Sequence, residues 1–153
     1  MKIIKIILPA IILLILITVV YMVIANNIIP KNIGVKDGSL SKMPNSPNAV
    51  SSTTTDESKY VEPLKYLNDF KYSKEVIVKI INEYPRAEII TNDDKYIHAV
   101  FTTPTMKFND DVEFYFDDEN KVIQFRSASR IGYSDNGLNR ERYNELSELY
   151  YSN

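Results

Sequence analysis

The segments Asp111–Phe116 (DVEFYF) and Val122–Arg130 (VIQFRSASR), separated by Asp117-Asp118-Glu119-Asn120, decide how this chain is read. Side chains along a strand alternate between two faces. Val112, Phe114 and Phe116 therefore share one face, and Asp111, Glu113 and Tyr115 share the other. In the second segment Ile123 and Phe125 take the apolar face, while Gln124, Arg126 and Arg130 point away. Pairings that join the apolar faces place Asp111 and Glu113 opposite or diagonal to Arg126, as a charged ladder.

Just upstream, RAEIIT and YIHAVFT also alternate, on either side of the turn residues Asn92-Asp93-Asp94-Lys95. Together the segments predict a four-stranded antiparallel meander. A helix is expected before it, over 73–84. Ser73 serves as the cap, Tyr72 and Ile77 as a hydrophobic staple, and Pro85 as the stop. Val76, Ile77, Ile80, Ile81 and Tyr84 form its apolar stripe. A second helix is expected after the meander, capped by Asn139, stapled by Leu138 and Tyr143, and continued by Leu146, Leu149 and Tyr150. The expected fold class is α+β, with both helices on one face of the four-stranded sheet. The opposite face then carries Asp111, Glu113, Arg126, Arg130 and His98.

Upstream of this unit the chain changes character twice. Residues 6–25 (IILPAIILLILITVVYMVIA) hold no charge, and about twenty residues in a helix cover ~30 Å, the hydrocarbon thickness of a bilayer. The expectation is a transmembrane helix, with residues 1–25 acting as an uncleaved anchor or a signal. Lys2, Lys5 and the terminal amine put its short side in the cytoplasm, which makes the chain single-pass in the cytoplasmic membrane with an extracytoplasmic C-terminal part. Residues 26–57 are crowded with Ser, Thr, Asn, Pro and Gly and read as flexible linker, with a docking loop near 44–52. Residues 58–153 are expected to form a single α+β domain.

Composition removes several chemistries. The 153 residues include 18 Lys+Arg and 20 Asp+Glu, a formal net charge of −2, one His and no Cys. A near-neutral balance argues against nucleic acid as partner. Without cysteine there are no disulfides, thiolate metal sites or Cys nucleophiles, and a lone His98 cannot build a multi-histidine cage. No cofactor or metal is expected.

Four stretches resemble the domain-of-unknown-function 1499 family: FNDDVEF (108–114), RSASRIGYSDNGLNRER (126–142), PNAVSS (47–52) and YIHAVF (96–101). The resemblance covers roughly residues 44–151. It implies a widespread family that often follows a signal or membrane segment and has no established activity. Members usually carry Cys where Ala49 stands here, so a role for that thiol cannot apply.

The functional candidates follow from the polar face and the 130–142 loop. Asp111, Glu113, Arg126, Arg130, Ser134, Asp135, Asn139 and Arg140 are expected to hold a ligand, because arginines beside a helix start and a Gly-rich turn suit an anion. The loop is expected to fold back over the strand end and bury Arg126 and Arg130. The expected role is a binding or interaction module, with the bilayer as one partner and an anionic ligand or envelope protein as another. The alternative is a hydrolase-like enzyme using Asp110, Asp111, Glu113 and His98 as acid–base groups. Ser127 and Ser129 fall on the apolar parity, away from a triad geometry.

Overall fold

A computed structural model describes residues 2–153, with side chains from residue 7 onward. The terminal amine and the side chains of Lys2 and Lys5, on which the expected orientation rests, lie outside the described residues. Helix α1 (Lys2–Asn27) comes first, with Pro9 inside its early turns. Within its Ile7–Asn27 portion the most apolar eighteen residues have a mean hydropathy of 3.0, and none of that window is buried in the molecule. Among the described residues this is the one helix long and apolar enough to cross a membrane.

Four long strands form the expected meander: β5 (Ala87–Asp93), β6 (Tyr96–Thr102), β7 (Asn109–Asp117) and β8 (Val122–Ser129). The sheet, however, has six strands rather than four. Strands β3 (Ala49–Ser51) and β4 (Leu64–Lys65) pair one after the other along the outer edge of β8. The alternation rule finds long strands, and these segments are two and three residues long. They form because the backbone edge of a buried strand needs partners that no helix can supply. A separate hairpin, β1 (Val35–Lys36) with β2 (Ser39–Leu40), precedes them.

The apolar face is built as the alternation requires. Ile97, Phe101, Val112, Phe114, Phe116, Ile123 and Phe125 are all buried against helices α2 (Phe70–Glu83) and α3 (Leu138–Tyr151). Phe114 and Phe125 meet edge-on, with ring centroids 5.3 Å apart. Each such side chain contributes about 1.5–3 kcal/mol by leaving water.

Both helix starts differ from expectation. Asp69, not Ser73, caps α2, its carboxylate accepting from the Tyr72 amide at 2.8 Å. Ser73 lies buried inside the helix and accepts from the Leu67 amide. Asn139 is also inside its helix. Gly137, at φ +86°, is the cap residue of α3, and Asp135 accepts from the Asn139 amide.

Residues 26–57 are not free linker. They carry β1, β2 and β3: β2 lies against β7 and β8 on the charged face, and β3, within the expected docking loop, pairs with the edge of β8. Composition misses this because the buried side chains of the segment, Leu40, Asn48, Ala49, Val50 and Ser51 among them, are few, mostly small or polar, and form no apolar period.

Candidate functional site

Alternation along β6, β7 and β8 aligns His98, Glu113 and Arg126 in one row across three strands, on the face away from the helices. Asp111 sits two residues from Glu113, opposite Ala128. Contacts within a row and diagonally between rows make two ion-pair systems. In the first, Arg130 grips Asp111 with both Nε (2.9 Å) and Nη2 (2.7 Å), and His98 Nε2 lies 2.7 Å from the same carboxylate. In the second, Arg126 donates to Glu113 through Nη1, and Glu113 also accepts from the Tyr96 hydroxyl at 2.8 Å and the Gly34 amide at 2.6 Å.

The charged side chains are buried, and Tyr96 is half-buried. His98 is 2% exposed, Asp111 1%, Glu113 0% and Arg126 3%. The cover is the Asn26–Pro44 segment, not the 130–142 loop. Gly34 reaches Glu113, and the Asn26 carbonyl accepts from Arg130 Nη1 at 3.1 Å. Beyond Arg130 the 130–142 stretch leads into α3, and Asp135 closes the start of that helix.

Burial and charge pull on Asp111 in opposite directions. Burial pushes its carboxyl up, but the hydrogen bonds from Arg130 and His98 and the Arg130 charge outweigh it and hold the group below the usual carboxylate value. Tyr96 is pushed well above an ordinary phenol, first by burial and then by the Glu113 carboxylate beside it.

Beneath the cover lies a cavity of about 180 Å³, lined by Pro30, Ile33, Asp111, Arg126, Ala128 and Arg130 among others. Ala128, opposite Asp111, brings only a methyl group to this floor. Arg126 Nε is buried and has no hydrogen-bond partner among the described residues. That is unusual, because buried polar atoms are nearly always satisfied.

The remaining expected site residues lie elsewhere. Asp110 has the parity of Val112, so it faces α3, where Arg142 Nη2 donates to it at 2.6 Å. It cannot join Asp111 and His98 in one acid–base group, since the sheet stands between them. Ser127 is on this helix side too, bonded to Asn139 and Arg142, and is likewise cut off from His98. Asp135 and Asn139 close the turn into α3: Asp135 takes the Gly137 and Asn139 amides, and Asn139 donates to the Asn48 carbonyl. The Ser134 hydroxyl accepts from the Asn136 amide. Arg140 donates to the Ser58 and Tyr60 carbonyls and so braces the chain between β3 and β4. Ser134, Asp135, Asn139 and Arg140 thus serve the turn, while Asp111, Glu113, Arg126 and Arg130 converge.

Sequence reasoning missed Gly34 and Asn26, and it grouped Arg142 with the arginines at the helix start rather than with Asp110. A parity count would have moved Asp110 to the helix face, and a search for a cation on α3 would then have found Arg142. Gly34 left no local signal, because its contribution is a backbone amide 79 residues away from its partner.

The molecule is therefore an α+β sheet protein with a buried, doubly paired charge cluster under an N-terminal cover. Its sequence matches the family of proteins of unknown function DUF1499 over residues 39–149, and the chain belongs to that family. No curated protein and no solved structure matches it. The family match begins within the hairpin of the cover and takes in the whole six-stranded sheet.

Proposed function

We propose that this protein is a membrane-anchored binding module that takes a small anion, a carboxylate or phosphate group, into the Arg126–Arg130 cavity. Residues 6–25 hold it in the cytoplasmic membrane as a single pass, and the sheet stands on the extracytoplasmic side. The observation that carries the binding reading is Arg126: 3% exposed, lining the cavity, with its Nε unpartnered. A guanidinium presents donors in a fixed fork that fits carboxylate and phosphate oxygens. Only part of that fork is engaged by Glu113, so the remainder is available to an anion. Arg130, already fixed on Asp111, adds positive potential at the same wall. The cluster is otherwise charge-balanced, two arginines against two carboxylates, so an entering anion meets an ordered field instead of a bare charge.

The test titrates the full-length protein in detergent micelles with inorganic phosphate and with acetate, read by calorimetry. Saturable binding is expected, and Arg126→Lys should weaken it at least about tenfold, because Lys keeps the charge beside Glu113 but loses the planar fork. Flat titrations for both anions would reject the reading. Anchoring is tested separately: the protein should sediment with membranes through a high-salt wash, since the apolar span rather than surface charge holds it.

A further inference from the structure

Where α1 leaves for the sheet, its last turns do not stand alone. Val19, Met22 and Val23 form one wall of an apolar groove of about 230 Å³, and Met106, Phe108 and Ile131 form the other. We propose that this groove holds a phospholipid acyl chain, and that the 103–108 and 131–133 loops rest in the lipid–water interface beside the helix. The inference builds on the anchor reading and goes beyond it, since an anchor alone needs no contact between the sheet and the lipid.

Four observations carry it. Val19 precedes Asn27 by eight residues, about 12 Å along the helix axis, so the helical wall lies below the headgroups if the Ile7–Asn27 span fills the hydrocarbon layer. Whatever fills the groove beside that wall is therefore lipid-facing. The loops also expose large side chains close to the apolar groove: Met106 is 64% exposed and Tyr133, two residues beyond Ile131, is 78% exposed. An exposed Tyr and the exposed Lys107 next to Met106 are the residue types that sit at headgroup level. Finally, depth is fixed by Asn26, which donates to the Lys107 carbonyl at 2.8 Å and accepts from the Asn109 amide at 2.8 Å. The loops cannot lift away while that clamp holds.

The chain has no cysteine, so single labels can be placed without background. Met106→Cys, Tyr133→Cys, Ile17→Cys and Glu119→Cys, each in the full chain, are labelled with an environment-sensitive fluorophore. The labelled proteins are reconstituted in phosphatidylcholine vesicles carrying a spin label near the head or near the end of the acyl chain. Position 17 reports the centre of the span, and position 119 the exposed β7–β8 turn at the far end of the sheet. The expected result is loss of fluorescence at 106 and 133 with the shallow spin label, loss at 17 with the deep one, and none at 119. If 17 is quenched while 106 and 133 behave like 119, the groove inference is overturned and the anchor survives. Failure of quenching at 17 overturns both. Labels at 106 and 133 that are shielded from water yet untouched by either lipid would mean that a protein covers the groove, which also overturns the inference.

Discussion

Asp110 and Asp111 are neighbours in the chain, yet they enter two buried charge clusters on opposite sides of one sheet. On the helix side, Asp110 pairs with Arg142, whose guanidinium lies 5.2 Å from the Phe101 ring centroid and also donates to Asn139. Asn139, Ser127 and the cap of α3 complete that group, and nothing in it is left unsatisfied among the described residues. On the covered side, Asp111 and Glu113 are as deeply buried and as well paired, but the cluster borders a cavity and leaves Arg126 Nε free. The same chemistry closes one cluster and leaves the other with spare capacity. On the helix side the Arg142 guanidinium lies over the Phe101 ring, whereas on the covered side Pro30 and Ile33 stand across a cavity from Arg126. A buried ion pair therefore says little about function by itself; the unsatisfied donor and the space beside it say more.

The sharpest way to break this distinction is at Arg142. Arg142→Leu strands the buried Asp110 without its cation, and a loss of about 3–5 kcal/mol is expected from denaturant unfolding. Arg126→Gln removes the matching cation on the other side. There Glu113 keeps the Tyr96 and Gly34 donors, and the cavity admits water, so the loss should be smaller, about 2 kcal/mol. Equal losses would erase the difference between the clusters. A double-mutant cycle of Arg126→Gln with Glu113→Gln should show coupling of about 1–2 kcal/mol, and zero coupling would mean the pair does not act as a unit.

A smaller effect separates the clusters by pH. The folded-state value of Asp111 is lowered, so its contribution to stability is fully present above the ordinary Asp value near 3.9 and is lost as pH falls through the lowered one. The stability difference between the native protein and Asp111→Asn should therefore shrink below about pH 4. A difference that stays constant down to pH 2 would show that the carboxylate charge contributes nothing. Smallest of all, Arg140→Ala removes two bonds to backbone carbonyls at an exposed position and should cost about 1 kcal/mol without changing anion binding. A loss of binding in that variant would return the 130–142 loop to the site.

How far the sequence revealed this arrangement varies by element. The alternation in 111–116 and 122–130 was enough to read the two faces, the facing of Glu113 and Arg126, and the class of fold. The two short strands were hidden because three residues of pairing leave no period to detect. Asp110 was misread by adjacency: it was grouped with Asp111 although their parity differs. The cover was missed for a physical reason. Polar and Gly-rich composition signals too little apolar surface to fold, but residues 26–44 are held by a partner surface that is itself polar, and local composition carries no record of a partner so distant in the chain.

The Asn26 clamp has a mechanical consequence. Its side chain bonds to Lys107 and to the Asn109 amide, and its carbonyl accepts from both Asn109 Nδ2 and Arg130 Nη1. Four hydrogen bonds at this one residue thus tie the last turn of the apolar helix to the sheet. A change in the tilt of α1 would therefore bear first on Arg130, and through Arg130 on the Asp111 carboxylate at the cavity wall.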